Sequence, residues 1–182
     1  MLDPVAVNGI QKRRFKKKHG FVLEAHTTAK ELKDYDPEAW AGYFKFCVVR
    51  NPWTMVVSDY YWRLHMRGNP PVSFDEFVRR LEDTARPDPE RLRPPLISNW
   101  EIYTIDDAVA VDFVARFESL SEDLEAVSKK VGIPIDISSI KAKGTHRNRD
   151  RVISDHYDDD LIETVGRVFA REVQAFGYQP PV

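Results

Sequence analysis

Hydrophobic positions along the chain recur on two periods, and each predicts its own kind of element. Phe44-Lys45-Phe46-Cys47-Val48-Val49 is a short, mostly apolar run of β-formers, which predicts a buried strand of a parallel sheet. Asn51-Pro52 stops that run and starts a helix, with Asn51 as cap and Pro52 in the first turn. Beyond it Trp53, Val56, Val57, Tyr60, Tyr61 and Leu64 fall on one helical face, until Gly68-Asn69-Pro70-Pro71 ends the element. Ser73 with Glu76 three residues on predicts a capping box, opening a helix whose apolar face is Phe74, Phe77, Val78 and Leu81. A last helix is expected from about Asp159 to Phe176. It would bury Leu161, Ile162, Val165, Val168, Phe169, Val173 and Phe176, and Gly177 would close it.

Weaker patterns fill the intervals. Phe21-Val22-Leu23 reads as a short strand. Thr27 or Thr28 caps a short helix through Leu32, and Asp36-Pro37 starts another. Val109 to Phe117 alternates as a strand. Ser121 is expected to cap a helix carrying Leu124, Val127 and Val131, ended by Gly132. Arg86 to Pro95 reads as a surface loop, and Lys141 to Arg151 as a polar, basic one. Strands alternating with helices predict an α/β fold, a mainly parallel sheet flanked by helices, with ligands at the C-terminal ends of its strands. No repeat or low-complexity linker divides the chain, so one domain is expected over residues 21–182, preceded by a basic arm over residues 1–20.

Composition narrows the function classes. With 42% hydrophobic and 31% charged residues among 182, the chain has an ordinary globular make-up, and a net charge of −2 excludes bulk attraction to polyanions. Six of the seven residues Lys12 to Lys18 are basic. That run reads as a solvated helix face, as an anion-binding or nucleic-acid patch, or as a localisation signal. No aromatic residue beyond Phe15 interleaves it for base stacking, so no nucleic-acid partner is expected. The single cysteine, Cys47, permits no intrachain disulfide and reads as a small buried hydrophobe. No apolar stretch approaches the roughly 18–20 residues of a membrane span, and no signal-peptide core precedes the basic run. A cytoplasmic, bacterial-type protein is expected, with membrane association left open. No His/Cys cluster has zinc spacing and no calcium loop occurs, so no metal is implied.

Candidate chemistry centres on Arg50, which stands where the predicted strand ends and a helix begins. Helix starts carry partial positive charge, and a guanidinium adds a fork of donors matched to phosphate. Ser58, about two turns on, would add a hydroxyl to the same anion. By spacing alone, Arg50 could equally sit in a surface ion pair and Ser58 in solvent.

The segment from Phe44 through Trp53 and on to Ser58-Asp59-Tyr60-Tyr61 resembles the 3′-phosphate-binding segment of the sulfotransferases. It is most similar to the family that includes carbohydrate sulfotransferases and many bacterial relatives. The likeness continues through Val111 to Leu120 and Asp123-Leu124, through Lys143-Gly144-Thr145 and Arg147, and through Tyr157-Asp158-Asp159 to Phe176-Gly177-Tyr178. The resemblance implies a P-loop NTPase-like sulfotransferase fold and the donor PAPS (3′-phosphoadenosine-5′-phosphosulfate). It implies that Arg50 and Ser58 hold the 3′-phosphate and that the Lys143, Gly144, Thr145 and Arg147 loop closes over the nucleotide. His26 occupies a place like that of the proposed catalytic base in related enzymes. A neutral imidazole suits removal of a hydroxyl proton, although a histidine at a helix start also commonly bonds the backbone. His19, His65, His146 and His156 are weaker candidates. The family's Lys-Thr-Gly-Gly-Thr-Ser-like loop, which grips the 5′-phosphosulfate, has no counterpart in this sequence, so an N-terminally truncated fold is expected. The implied activity is transfer of a sulfuryl group to a hydroxyl or amine of a carbohydrate-like or small-molecule acceptor. The alternative is an inactive remnant that binds 3′,5′-ADP (the product nucleotide) or another polyanion.

Overall fold

In the computed structural model, residues 26–135 and 152–181 are described. The predicted strand at Phe21 to Leu23, the basic arm and its boundary with the domain, and the loop carrying Lys143, Gly144, Thr145 and Arg147 lie outside those residues.

The first two helices form as the sequence predicts. Thr28 caps α1 (Ala29–Tyr35) in a complete capping box with Glu31, and Asp36 caps α2 (Pro37–Gly42) by accepting from the Ala39 amide. Strand β1 (Phe46–Val49) leads through Asn51, whose side chain accepts from the Trp53 and Thr54 amides, into α3 (Pro52–Met66). Helix α4 (Phe74–Glu82) follows. Residues 83–99 then lead to the short α5 (Trp100–Tyr103) and a hairpin of β2 (Thr104–Ile105) and β3 (Ala108–Val109). Asp106 and Asp107 turn that hairpin, both with positive φ, as a two-residue hairpin turn of this hand requires. Strand β4 (Phe113–Arg116) pairs parallel to β1, Phe46 opposite Phe113 and Val49 opposite Arg116. After a 3-10 turn (Phe117–Ser119) come α6 (Leu120–Val131), α7 (Asp159–Val168) and α8 (Ala170–Phe176).

The architecture is mixed α/β with a small parallel sheet, and several expectations need correction. Among the described residues the sheet is one parallel pair, and the hairpin is separate and antiparallel. The expected strand over Val109 to Phe117 divides accordingly. Val109 ends the hairpin, and β4 begins only at Phe113, where the Asp112 and Phe113 amides both bond the Lys45 carbonyl and set the register with β1. β1 is not buried on both faces, because Phe46 and Val48 are 42% and 45% exposed. The Ser73 capping box is only half made. Ser73 accepts from the Glu76 amide, but the Glu76 carboxylate is drawn away to Arg80 and Arg86. Ser121 lies inside α6 rather than capping it. That helix grows directly from the 3-10 turn, and Ser119 instead donates its hydroxyl to Asp123. The expected final helix breaks at Phe169, which leaves helical geometry at φ −112, ψ 31 and keeps its ring in the core. The loop over Arg86 to Pro95 is not wholly at the surface, since Leu92 is fully buried.

One core holds the α3, α4 and α7 faces together, with Trp53, Val56, Phe77, Val78, Leu81, Leu161, Val165 and Phe169 at its centre. Rim charges reinforce the α4–α7 packing, where Arg79 meets Asp160 and Arg167 meets Glu82. Gly166 in α7 stands beside Trp53. A β-carbon built there would meet the indole at 3.6 Å, an ordinary contact. Gly166→Ala is therefore expected to raise stability by about 0.5–1 kcal/mol, by restricting the unfolded chain without a clash, measured as a higher thermal midpoint.

Candidate functional site

The sequence makes the Arg50–Asn51 corner a junction of three elements. The Asn51 amide N–H donates to the Glu118 carboxylate at 2.8 Å, and the Asn51 side-chain NH2 donates to the Gln179 carbonyl at 2.8 Å. The corner is thus tied to the turn after β4 and to the end of the described chain. The amides of Trp53 and Thr54 are already used by the Asn51 side chain, so an anion here would depend on side chains more than on the helix start.

Thr54 and Phe117 both hold Arg50. Its Nε–H donates to Thr54 Oγ1 at 3.1 Å, and its guanidinium lies over the Phe117 ring, 4.3 Å from the centroid. Thr54 and Ser58 fall four residues apart on one side of α3, which begins two residues after Arg50. Arg50 and Ser58 line one space.

That space is a cavity of about 320 Å³. His26, Arg50 and Ser58 all line it, so the described residues singled out by the sequence meet at one site. His26 comes from the turn before α1 and holds φ 71, a left-handed conformation that histidine adopts more readily than most side chains. Asp59 and Arg63, paired at 2.5 Å across one helical turn, add charge to the same wall. Phe77, Leu81 and Phe169 line its apolar part, and Leu96 and Ile97 face it from the segment before α5.

His19 and His146 lie outside the described residues, and the two remaining histidines are placed differently. His65 is exposed near the end of α3. His156 is buried, its Nε2 2.9 Å from the Tyr61 hydroxyl and its Nδ1 3.1 Å from the Val152 carbonyl. It serves to hold the chain that leads into α7. Cys47 is half-buried and free, and burial pushes its thiol up to about 11, so the thiolate is scarce at neutral pH.

Phe117 and Glu118 escaped the sequence reading as individual supports of Arg50 and Asn51, although both lie in the segment quoted for the family likeness. Arg63 could have been found from its four-residue spacing to Asp59. The contribution of residues 94–99 carries no local signal.

Comparison with known proteins shows the family. The sulfotransferase family profile matches residues 6–179, and the chain belongs to that family. It is also 37% identical, over 98 residues, to an uncharacterized protein of Archaeoglobus fulgidus, covering 53% of this chain and 73% of that protein. No solved structure gives a significant match. No helix among the described residues is long and apolar enough to cross a membrane.

Proposed function

We propose that this sulfotransferase-family chain binds PAPS, with Arg50 and Ser58 on the 3′-phosphate, and passes its sulfuryl group to a hydroxyl or amine of a carbohydrate-like or small-molecule acceptor. The observation that carries the reading is the shared cavity of Arg50, Ser58 and His26. A guanidinium fixed by Thr54 and Phe117 loses little freedom on meeting a phosphate, which favours charge-assisted hydrogen bonds. His26 takes the proton of the acceptor hydroxyl as the acceptor oxygen bonds to sulfur. The bond from sulfur to the 5′-phosphate oxygen breaks, and 3′,5′-ADP leaves. Positioning and charge stabilisation do most of the work in such a transfer. Lys143, Gly144, Thr145 and Arg147 belong to the proposal as the nucleotide loop of a P-loop-like fold, in a cytoplasmic setting.

A second reading is a binding module for 3′,5′-ADP without transfer, which needs the Arg50 and Ser58 part of the cavity but no base at His26.

Calorimetric titration with 3′,5′-ADP tests the site. Saturable binding to the wild type is expected, with affinity about tenfold lower or worse in Arg50→Ala, the scale of a lost charged hydrogen bond, and a smaller loss in Ser58→Ala. Equal binding by wild type and Arg50→Ala would sink the assignment. Mass-spectrometric detection of a sulfated acceptor, dependent on His26, separates the enzyme from the binding module.

A further inference from the structure

Between α4 and α5, residues 83–99 form neither helix nor strand. Yet Pro94, Leu96, Ile97 and Asn99 line the cavity that Arg50 and Ser58 share. An irregular segment of that length in a compact domain needs a physical reason for its order.

Two clamps at buried charges supply it. At the first, the Arg80 guanidinium of α4 is 7% exposed and donates to Asp88 at 2.9 Å and Glu90 at 2.7 Å. Asp88 in turn accepts from the Leu92 and Arg93 amides at 3.0 and 2.9 Å, turning the chain so that Leu92 is fully buried. At the second, the Ser98 hydroxyl donates to the carboxylate of Glu172 on α8, a side chain only 8% exposed, and accepts from the Trp100 amide at 3.0 Å. The cavity-facing stretch lies between these two anchors, with Ile97 and Asn99 on either side of Ser98.

We propose that residues 83–99 are a preformed wall of the ligand cavity, and that Asp88 and Ser98 are positioning residues that hold Leu96, Ile97 and Asn99 toward the bound nucleotide. The inference rests on the nucleotide reading for its ligand and on the clamps for its geometry. If a released clamp left the wall in place only about a fifth of the time, apparent affinity would fall about fivefold with no ligand contact removed.

The test uses the full chain, with Ser98→Ala, Asp88→Asn and the conservative Ser98→Thr. Hydrogen exchange on the free protein is expected to show faster exchange at residues 92–100 in Ser98→Ala and Asp88→Asn, with α3 and α7 unchanged. Ser98→Thr, which keeps the hydroxyl, is expected to restore slow exchange. Calorimetry with 3′,5′-ADP is expected to show the roughly fivefold loss in the first two variants and recovery in Ser98→Thr. Unchanged exchange at residues 92–100 overturns the clamps. A loosened segment with unchanged nucleotide affinity overturns the positioning role and leaves scaffolding. Absence of binding by the wild type sinks the nucleotide reading and, with it, the positioning of a nucleotide, while exchange on the free protein still decides whether the clamps hold the wall.

Discussion

Replacing Arg80 with methionine is expected to lower the unfolding free energy by about 3 kcal/mol, the low end for breaking a buried ion pair. The loss follows from what stays behind. Arg80 is buried on the inner side of α4 and faces Glu76, Asp88 and Glu90 within 2.9 Å. Methionine keeps the apolar stem but leaves Asp88, only 12% exposed, without its cation. Glu76 and Glu90 are about a third exposed and can rehydrate, which keeps the loss from reaching the upper end of that range.

The same cluster has a pH signature. The bond from Arg80 holds the Glu76 and Glu90 carboxyls below the usual range. Burial alone would raise Asp88, but the Arg93 and Leu92 amides and Arg80 outweigh it, and its carboxyl is also lowered. Groups with depressed folded values contribute stability that is present above the ordinary carboxylate range and lost as pH falls through the depressed values. The wild type is therefore expected to lose stability across the acid carboxylate range, and Arg80→Met to show a flatter acid limb. Urea melts of both proteins from neutral to acid pH check this. Parallel acid limbs, or a neutral-pH difference well under 1 kcal/mol, would contradict the role given to the cluster.

Trp53→Ala is expected to cost about 3–5 kcal/mol, the range for removing a large buried aromatic. The Trp53 side chain is 3% exposed, its indole N–H donates to the Ile162 carbonyl at 3.0 Å, and its own carbonyl accepts from the Tyr157 hydroxyl at 2.8 Å. Its ring fills the space between α3 and α7 beside Gly166, 3.6 Å from where a β-carbon would stand. Trp53→Phe separates the two contributions. It keeps most of the apolar area but leaves the Ile162 carbonyl without its indole donor, so a smaller cost of about 1 kcal/mol is expected. Denaturant midpoints with unchanged slopes give both values. Comparable costs for the two variants would place the weight on the hydrogen bond rather than on the filled volume.

Both residues bear on how much the sequence discloses. The Trp53 row was legible because helical periodicity is a local property: Trp53, Val56, Val57 and Tyr60 repeat on one face whatever they pack against, and all four are buried. Asn51, Thr28 and Asp36 were legible as caps for a similar reason, since a cap satisfies amides two or three residues away. Ser121 as a cap and the Glu76 half of the Ser73 box failed where something else competed. A preceding 3-10 turn removed the need for a cap at Ser121, and two arginines claimed Glu76. The break at Phe169 also escaped, because the apolar row continues through it.

The sequence by itself determined the helices of the core, the Arg50-Asn51-Pro52 corner and the family likeness on which Arg50, Ser58 and His26 were chosen. These rest on short-range spacing and on a run of residue types that survives without coordinates. Only the tertiary structure decided that His26 from the turn before α1 meets Arg50 and Ser58 in one cavity, that Phe117 and Glu118 brace the corner from the far end of β4, and that Pro94, Leu96, Ile97 and Asn99 line the same cavity. Such contacts join positions as distant along the chain as Asn51 and Gln179, 128 residues apart. Periodicity reports which face of an element is apolar. It cannot report which distant segment that face or charge will meet, because the pairing is set by how the elements pack together.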